Sequence, residues 1–201
     1  MAEPDPGAAL RVIASELTRL GMSFAVVGGF GVSLRAEVRF TRDVDVAVRI
    51  RDDQEVERLV AELRTRGYGI IALVEHDDAK RLATVRLRDP SGVTVDLLTA
   101  SSGIEAEIVA RATPVTIEGI GPVPVAQAEE LLAMKVLSME ARRLQDRIDA
   151  IRLLEVNQDL DLERVRDDLR LIETRGYGRR QDLKAKLDQL LEAVRDPEAT
   201  L

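Results

Sequence analysis

Apolar residues recur at helical spacing near the start of the chain, with Leu10, Ile13, Leu17 and Leu20 followed by Gly21 as a C-terminal stop. The pattern predicts a helix over 8–20. Phe24-Ala25-Val26-Val27 is a short continuous apolar run that reads as a buried strand, and it leads through Gly28-Gly29 into a helix expected over 30–36. From 43 to 50 the pattern becomes alternation, with Asp43 and Asp45 set against Val44, Val46, Val48 and Ile50, which predicts a strand with one face in the core. Asp52 can cap a helix over 53–65 whose apolar stripe is Val56, Leu59, Val60 and Leu63, with Gly67 just beyond it. Strands are expected at 69–74, 82–88 and 93–98, the last two joined into a hairpin by the turn Asp89-Pro90-Ser91-Gly92.

Gly119, Gly121, Pro122 and Pro124 interrupt this pattern, and helix formers dominate afterwards. Helices are expected at about 126–155, 159–174 and 181–195, with Arg175-Gly176-Tyr177-Gly178 separating the last two. The expected organisation is therefore a domain over 1–125 and a helical, bundle-like domain over 126–201. No internal repeat or low-complexity tract is visible.

Composition narrows the chemistry. A chain of 201 residues that is 45% hydrophobic can bury a core, so disorder is not its expected main state. The absence of cysteine excludes disulfides, thiolate metal sites and cysteine nucleophiles, and a single histidine, His76, leaves little scope for zinc chemistry or a serine-histidine couple. Any metal is then expected on oxygen ligands, which favour Mg2+ or Mn2+. No apolar run reaches the roughly eighteen residues that span a bilayer, and the opening MAEPDPGAAL lacks the basic region and apolar stretch of a secretory signal, so a cytoplasmic location with no membrane partner is expected. The net charge of −7 argues against a uniformly basic nucleic-acid coat, and five aromatic residues (Phe24, Phe30, Phe40, Tyr68, Tyr177) are too few for a row of base-stacking platforms. Local basic patches remain open.

Side chains alternate across a strand, so Asp43 and Asp45 project from one face, and Thr94, Asp96 and Leu98 share a face of theirs. Asp96 completes a trio if the two strands are neighbours. Two unit charges about 4 Å apart cost roughly 4 kcal/mol at an effective dielectric near 20, a cost that a divalent cation relieves. In a two-metal arrangement such ions activate an acceptor hydroxyl and stabilise a leaving pyrophosphate. A lone Asp-x-Asp is more often the solvated face of an edge strand. Gly28-Gly29 shifts that balance, because small residues after a strand and before a helix let phosphate oxygens reach unpaired backbone amides.

Val27-Gly28-Gly29, thirteen intervening residues and then Asp43-Val44-Asp45-Val46 together resemble the first motif of the DNA polymerase beta-like nucleotidyltransferase superfamily, and Val95-Asp96-Leu97-Leu98 resembles its third carboxylate strand. Arg39-Phe40-Thr41-Arg42-Asp43-Val44-Asp45 is similar, more narrowly, to the Arg-x-Thr-x-Asp-x-Asp stretch of AbiEii-like nucleotidyltransferases, the MenT-type toxins of toxin-antitoxin pairs. Glu130-Leu131-Leu132-Ala133-Met134-Lys135 with Arg142, Asp146 and Asp149 resembles that family's Lys-then-Arg-then-Asp-x-x-Asp helix. The likeness covers roughly residues 10–155. It departs from the family at Gly31, where a better helix former is expected, and at Arg35-Ala36-Glu37, which lacks the His-Gly turn often found before the motif.

The resemblance implies an α+β fold, a nucleotidyltransferase-like mixed sheet flanked by helices and followed by a C-terminal helical bundle. It implies that Asp43, Asp45 and Asp96 bind metal, that Asp96 helps to activate the acceptor hydroxyl, and that Gly28 and Gly29 contact the triphosphate. Arg39, Thr41 and Arg142 join the substrate-binding set. Lys135 is read as a phosphate contact, Asp146 as orienting a basic neighbour or the nucleotide, and Asp149 as structural. Offsets of 7, 11 and 14 from Lys135 are near-complete turns at about 100° per residue, so one helix would carry all four on one face; a salt-bridged surface stripe is the plainer reading of the same spacing.

The implied activity is transfer of a nucleoside monophosphate from an NTP to an RNA acceptor, the tRNA 3′ end above others, as a toxin with a cognate antitoxin partner. A small-molecule (antibiotic) nucleotidyltransferase and a catalytically silent nucleotide- or partner-binding module are the alternatives. Lys80-Arg81 with Arg86 and Arg88 can track an RNA backbone or the incoming triphosphate, and Arg175, Arg179, Arg180, Lys184 and Lys186 can hold the arm of a folded RNA; either group can simply be solvated. His76, in Glu75-His76-Asp77-Asp78, is expected in an exposed turn without a catalytic role.

Overall fold

Asp5 opens the first helix, α1 (Pro6–Arg19), by accepting from the amides of Gly7 and Ala8, while Pro6 presets φ in the first turn. The computed structural model describes residues 4–140 and 142–196, and the remaining elements follow in chain order. These are β1 (Phe24–Val26), α2 (Gly28–Arg35), β2 (Asp43–Val48), α3 (Asp53–Arg64), β3 (Gly69–His76), β4 (Arg81–Arg88) and β5 (Thr94–Leu98). Then come α4 (Glu105–Arg111), β6 (Thr113–Ile117), β7 (Gly121–Val125), α5 (Ala128–Ser138), α6 (Leu144–Val156), α7 (Leu162–Thr174) and α8 (Leu183–Arg195). Asp52, Asp161 and Asp182 cap α3, α7 and α8 by accepting from Glu55, Arg164 and Ala185 amides, so local side chains define where these helices begin.

The strands form one mixed sheet of seven in the order β3-β4-β5-β2-β1-β7-β6. β2 pairs parallel with β5 and antiparallel with β1, and β1 pairs parallel with β7. Alternation along β2 and β5 divides the interior in two. Val44, Val46, Val48, Val95 and Leu97 face one layer, which is closed by Leu10, Ile13 and Leu17 of α1 and Val56, Leu59 and Leu63 of α3. Ala47 faces the other, beneath Leu131, Leu132, Val136, Leu153 and Leu187 of the later helices. Asp43, Asp45 and Asp96 have the parity of that second layer. The fold is thus α+β, a mixed sheet flanked by helices and followed by further helices.

Three expectations change. The long helix over 126–155 is two helices, because the chain leaves α5 at Met139, whose backbone is extended, and re-enters helix at Leu144. No glycine or proline lies between 126 and 155, so no local signal marks the break. It permits α6 to fold back on α5, itself buried at Glu130, Leu131, Leu132, Ala133, Val136 and Leu137. The proline- and glycine-rich stretch is not merely an interruption: β6 and β7 form a hairpin there, and β7 extends the sheet beside β1. Pro114 and Pro124 face each other across that hairpin near the sheet margin, where missing amide donors are tolerated. Helix α4 was likewise outside the expected elements. Among the described residues, no helix is long and apolar enough to cross a membrane.

A buried charge cluster joins the sheet's edge to the later helices. Arg111, at the end of α4, donates to Glu130 of α5 and Asp168 of α7, each at 2.9 Å, and both carboxylates are fully buried. Removing Arg111 leaves buried Asp168 without its ion-pair partner and Glu130 with only Arg164, at 3.3 Å, a loss that costs about 3–5 kcal/mol. Arg111→Met is therefore expected to lower the urea midpoint by that free energy. Replacing Arg111, Glu130 and Asp168 together with apolar residues should recover most of it, and an unchanged single-variant midpoint would remove this cluster from the account of the fold.

Candidate active site

Because β2 and β5 run parallel and adjacent, their register decides which carboxylates meet. Asp45 stands opposite Asp96 and Asp43 opposite Thr94. The same parity on β4 puts Arg86 opposite Asp96 from the other side, across the hairpin closed by Asp89, whose carboxylate accepts from the amides of Ser91 and Val93. Arg86 holds both oxygens of Asp96, Nε at 2.9 Å and Nη2 at 2.6 Å. That grip raises the Arg86 pKa further. Burial and the facing Asp96 push the Asp45 carboxyl up to about 6, against the partial relief that Lys135 and the Gly29 amide provide.

The turn between β1 and α2 is shaped around Asp45. Gly28 has φ +57°, and a Cβ on it would lie 1.9 Å from Asp45 Oδ2, so glycine is needed for backbone and for space. A Cβ on Gly29 would lie 2.6 Å from Thr41 Oγ1 and 3.0 Å from Arg39 Nη2, which shows the loop before β2 folded closely over this turn. Val27, the residue preceding α2, offers no side-chain cap, and the Gly29 amide in the first turn of α2 donates instead to the Asp45 carboxylate. Gly31, the departure noted in the sequence, packs against α5: a Cβ there would sit 2.9 Å from Leu131 Cδ2.

Lys135 reaches the site from α5 and is held by α6, with Nζ 2.8 Å from Asp146 Oδ1 and 2.7 Å from Asp149 Oδ2. Asp149, 1% exposed, also accepts from Arg39 Nε at 2.8 Å, Arg39 Nη2 at 2.9 Å and Gln145 Nε2 at 2.8 Å. Burial alone would raise its pKa, yet Arg39 and Lys135 hold this carboxyl below the usual carboxylate range. The residues do meet, though through the packing of two helices and not along one helical face. Arg142 is 90% exposed and pairs with Glu140 at 3.6 Å, away from the others; its neighbour Arg143 turns inward to Asp146 at 3.0 Å.

A cavity of about 790 Å³ collects these groups. Gly28, Asp45, Arg86, Asp96, Lys135 and Asp146 line it, and Asp43 stands outside its lining at the exposed start of β2. Arg39 and Thr41 also lie outside it. Arg39 is engaged with Asp149, and Thr41 Oγ1 donates to the Asp43 carbonyl at 3.2 Å, so both shape the loop that delivers Asp43 and Asp45. Among the described residues, no three acidic or imidazole side chains are gathered into a ready cation cage, since both Asp96 oxygens are turned toward Arg86. Alignment at one register position and an all-oxygen donor set are nonetheless what a hard divalent ion requires.

His76 corrects an expectation. It ends β3 at 8% exposure, lines the cavity and packs against Tyr177 with ring centroids 4.5 Å apart and planes tilted by 54°, where packing from the distant α7–α8 connection covers it. The sequence reading also did not pair Arg86 with Asp96, although the turn at 89–92 carries the signal. Counting outward from it places 88 opposite 94 and 86 opposite 96. The inward turn of Arg143 and the positions of Arg179 and Arg180 on the cavity wall have no such local signal.

Residues 11–200 match the family model described as nucleotidyl transferase AbiEii toxin, Type IV TA system. None of the curated protein sequences matches the chain. Among solved structures, the chain is similar to the antibiotic-resistance factor ANT(2'')-Ia in solution, at 14% identity and TM-score 0.51, covering 94% of this chain and 99% of that one. It is also similar to ANT(2")-Ia in complex with adenylyl-2"-tobramycin, at 14% identity and TM-score 0.51, over 84% and 97%. An antigenic nucleotidyltransferase-like protein from Paracoccidioides brasiliensis aligns at 18% identity and TM-score 0.49 over 94% of each chain. At these identities the likeness concerns the fold.

The raised Asp45 pKa has a consequence for stability. Relative to its ordinary 3.8, a folded value of about 6 means that the protonated form is favoured by folding. Its stabilisation is complete below the unfolded pKa and is lost as pH rises through 6, an effect on the order of 2–3 kcal/mol. Asp45→Asn is expected to make the metal-free protein more stable at pH 7 and to flatten its stability between pH 4 and 6.5. Urea titrations across that range in the presence of a chelator check this, and superimposable profiles for the two proteins would contradict it.

Proposed function

This chain belongs to the AbiEii nucleotidyl transferase toxin family, and from that membership we propose that it transfers a nucleoside monophosphate from an NTP to an RNA acceptor, the tRNA 3′ end, as the toxin of a pair with a cognate antitoxin. The observation that carries the reading is the alignment of Asp45 with Asp96 beside the Gly28 turn, in a cavity that Lys135 also enters. Asp43, Asp45 and Asp96 would hold Mg2+ or Mn2+. When bound, such ions lower the pKa of the acceptor hydroxyl and stabilise the leaving pyrophosphate.

The protein's own groups have separate tasks in this reading. Gly28 and Gly29, in the first turn of α2, contact the triphosphate, and the missing Cβ of Gly28 lets Asp45 lie against this turn, where it accepts from the Gly29 amide. Arg86 fixes the Asp96 carboxylate, which faces the acceptor hydroxyl and takes part in drawing off its proton. Lys135, fixed by Asp146 and Asp149, adds positive potential at the phosphates. Arg39 and Thr41 act as positioning residues for the Asp-x-Asp strand, through Asp149 and the Asp43 carbonyl.

One observation favours a second reading. Glu75, Asp77 and Asp78 line one part of the cavity, and an acidic wall suits a cationic small acceptor. An aminoglycoside is the model case, because the ANT(2")-Ia structure carries adenylyl-2"-tobramycin.

The full chain is to be incubated with Mg2+, each α-labelled NTP in turn, and either total RNA or an added aminoglycoside. Label in the tRNA band is the expected result, and label confined to the aminoglycoside establishes the second reading. Asp43→Ala and Asp45→Asn should each reduce incorporation by on the order of a thousandfold, a barrier increase of about 4 kcal/mol. Undiminished incorporation in both variants would overturn the carboxylate site.

A further inference from the structure

The cavity receives cationic side chains from two directions. Arg86, Lys135 and Arg143 come from the sheet and from the α5–α6 region, and each is already engaged with a carboxylate: Asp96, the Asp146–Asp149 pair and Asp146. Arg179 and Arg180 come from the connection between α7 and α8, and among the described residues neither forms an ion pair with a carboxylate. Arg179 Nη2 reaches only the Ser101 carbonyl, at 3.4 Å, and Arg180 makes no side-chain hydrogen bond or ion pair among the described residues. The rest of that basic stretch is committed elsewhere. Arg175 binds Glu107, Lys184 binds Asp188 at 2.6 Å, and Lys186 donates to the Met139 carbonyl at 2.5 Å.

The backbone at the two arginines is strained. Arg179 and Arg180 have φ of +52° and +58°, adjacent non-glycine residues in the left-handed region, while glycine stands just before them at Gly178. Glycine would adopt this conformation freely, so the side chains are kept where the backbone alone disfavours them. Their base is firm. The Tyr177 amide donates to the Ile172 carbonyl at 2.8 Å, the Tyr177 ring packs at a tilt against His76 and fills the space over Gly103, and the Gln181 amide donates to the Gly178 carbonyl at 3.0 Å. Desolvation and the facing Arg143 lower the Arg179 pKa, a repulsion that an incoming anion relieves.

We propose that Arg179 and Arg180 are a phosphate clamp that grips the triphosphate tail of the NTP, carried to the carboxylate site by the turn between α7 and α8. Planar guanidinium groups match phosphate oxygens two at a time, and these two share one cavity with Gly28, Asp45 and Asp96. The proposal rests on the nucleotidyl-transfer reading and assigns a substrate contact to a segment for which the motifs supply no role.

The test is equilibrium binding by the full chain of each NTP with Mg2+, of inorganic tripolyphosphate and of total tRNA, without turnover. Arg179→Gln/Arg180→Gln should weaken NTP and tripolyphosphate about ten- to hundredfold. Arg179→Gly/Arg180→Gly should do the same while unfolding no more easily than wild type, which separates lost charge from lost fold. Lys184→Gln, on the outer face of α8, should bind as wild type. Wild-type NTP affinity in either double variant overturns the clamp, as does a loss confined to tRNA. A wild-type chain that binds no NTP at all overturns both the clamp and the reading beneath it.

Discussion

Two carboxylates held face to face on adjacent parallel strands repel each other, and burial sharpens the repulsion. Asp45 and Asp96 stand at one register position, and much of the surrounding structure answers their charge. Arg86 takes both oxygens of Asp96, Lys135 lowers the cost at Asp45, and Gly28 yields the volume of a side chain so that Asp45 can lie against the turn. A fold selected only for stability would place an apolar pair at this register, as it does at Val44–Val95 and Val46–Leu97. Concentrated like charge beside the glycine turn that opens a helix is what metal-assisted phosphoryl chemistry calls for.

Asp149 is the hub of the second tier. It joins the loop before β2, through Arg39, to α5, through Lys135, and so links the position of the Asp-x-Asp strand to the helices that follow the sheet. A disturbance in α6 therefore reaches the carboxylates through one buried residue. The Arg111 cluster has a different character, binding α4, α5 and α7 at a distance from the cavity lining. The connection between α7 and α8 adds a third tie, with Tyr177 closing over His76 and Gly103.

Membership of the AbiEii family sets the reaction class, and the local geometry adds what a family description does not contain. It shows which cations are already balanced and which face the cavity without an ion pair among the described residues. It also shows why a glycine at 31, unfavourable for a helix by itself, is needed for α2 to approach Leu131. The acidic rim at Glu75, Asp77 and Asp78, and Arg179 and Arg180, which form no ion pair among the described residues, give the cavity walls of opposite sign, suited to a substrate that carries charge unevenly.

The sequence by itself determined the elements whose signals are local. Carboxylates alternate with valines at the start of β2, apolar residues recur along α1 and α3, and Asp52 caps α3 with its own carboxylate, so residues a few positions apart suffice to specify them. Parity also placed Asp43 and Asp45 on one face. The tertiary structure alone decided which strands became neighbours, and hence that Asp96 would meet Asp45 and not another partner. It broke the chain at Met139 without glycine or proline, turned Arg143 inward and Arg142 outward, buried His76 beneath Tyr177 and made strands of a proline-rich stretch by giving β7 a place beside β1. These outcomes depend on which surfaces pack together across long separations in the chain, and no periodicity within a single segment encodes that choice.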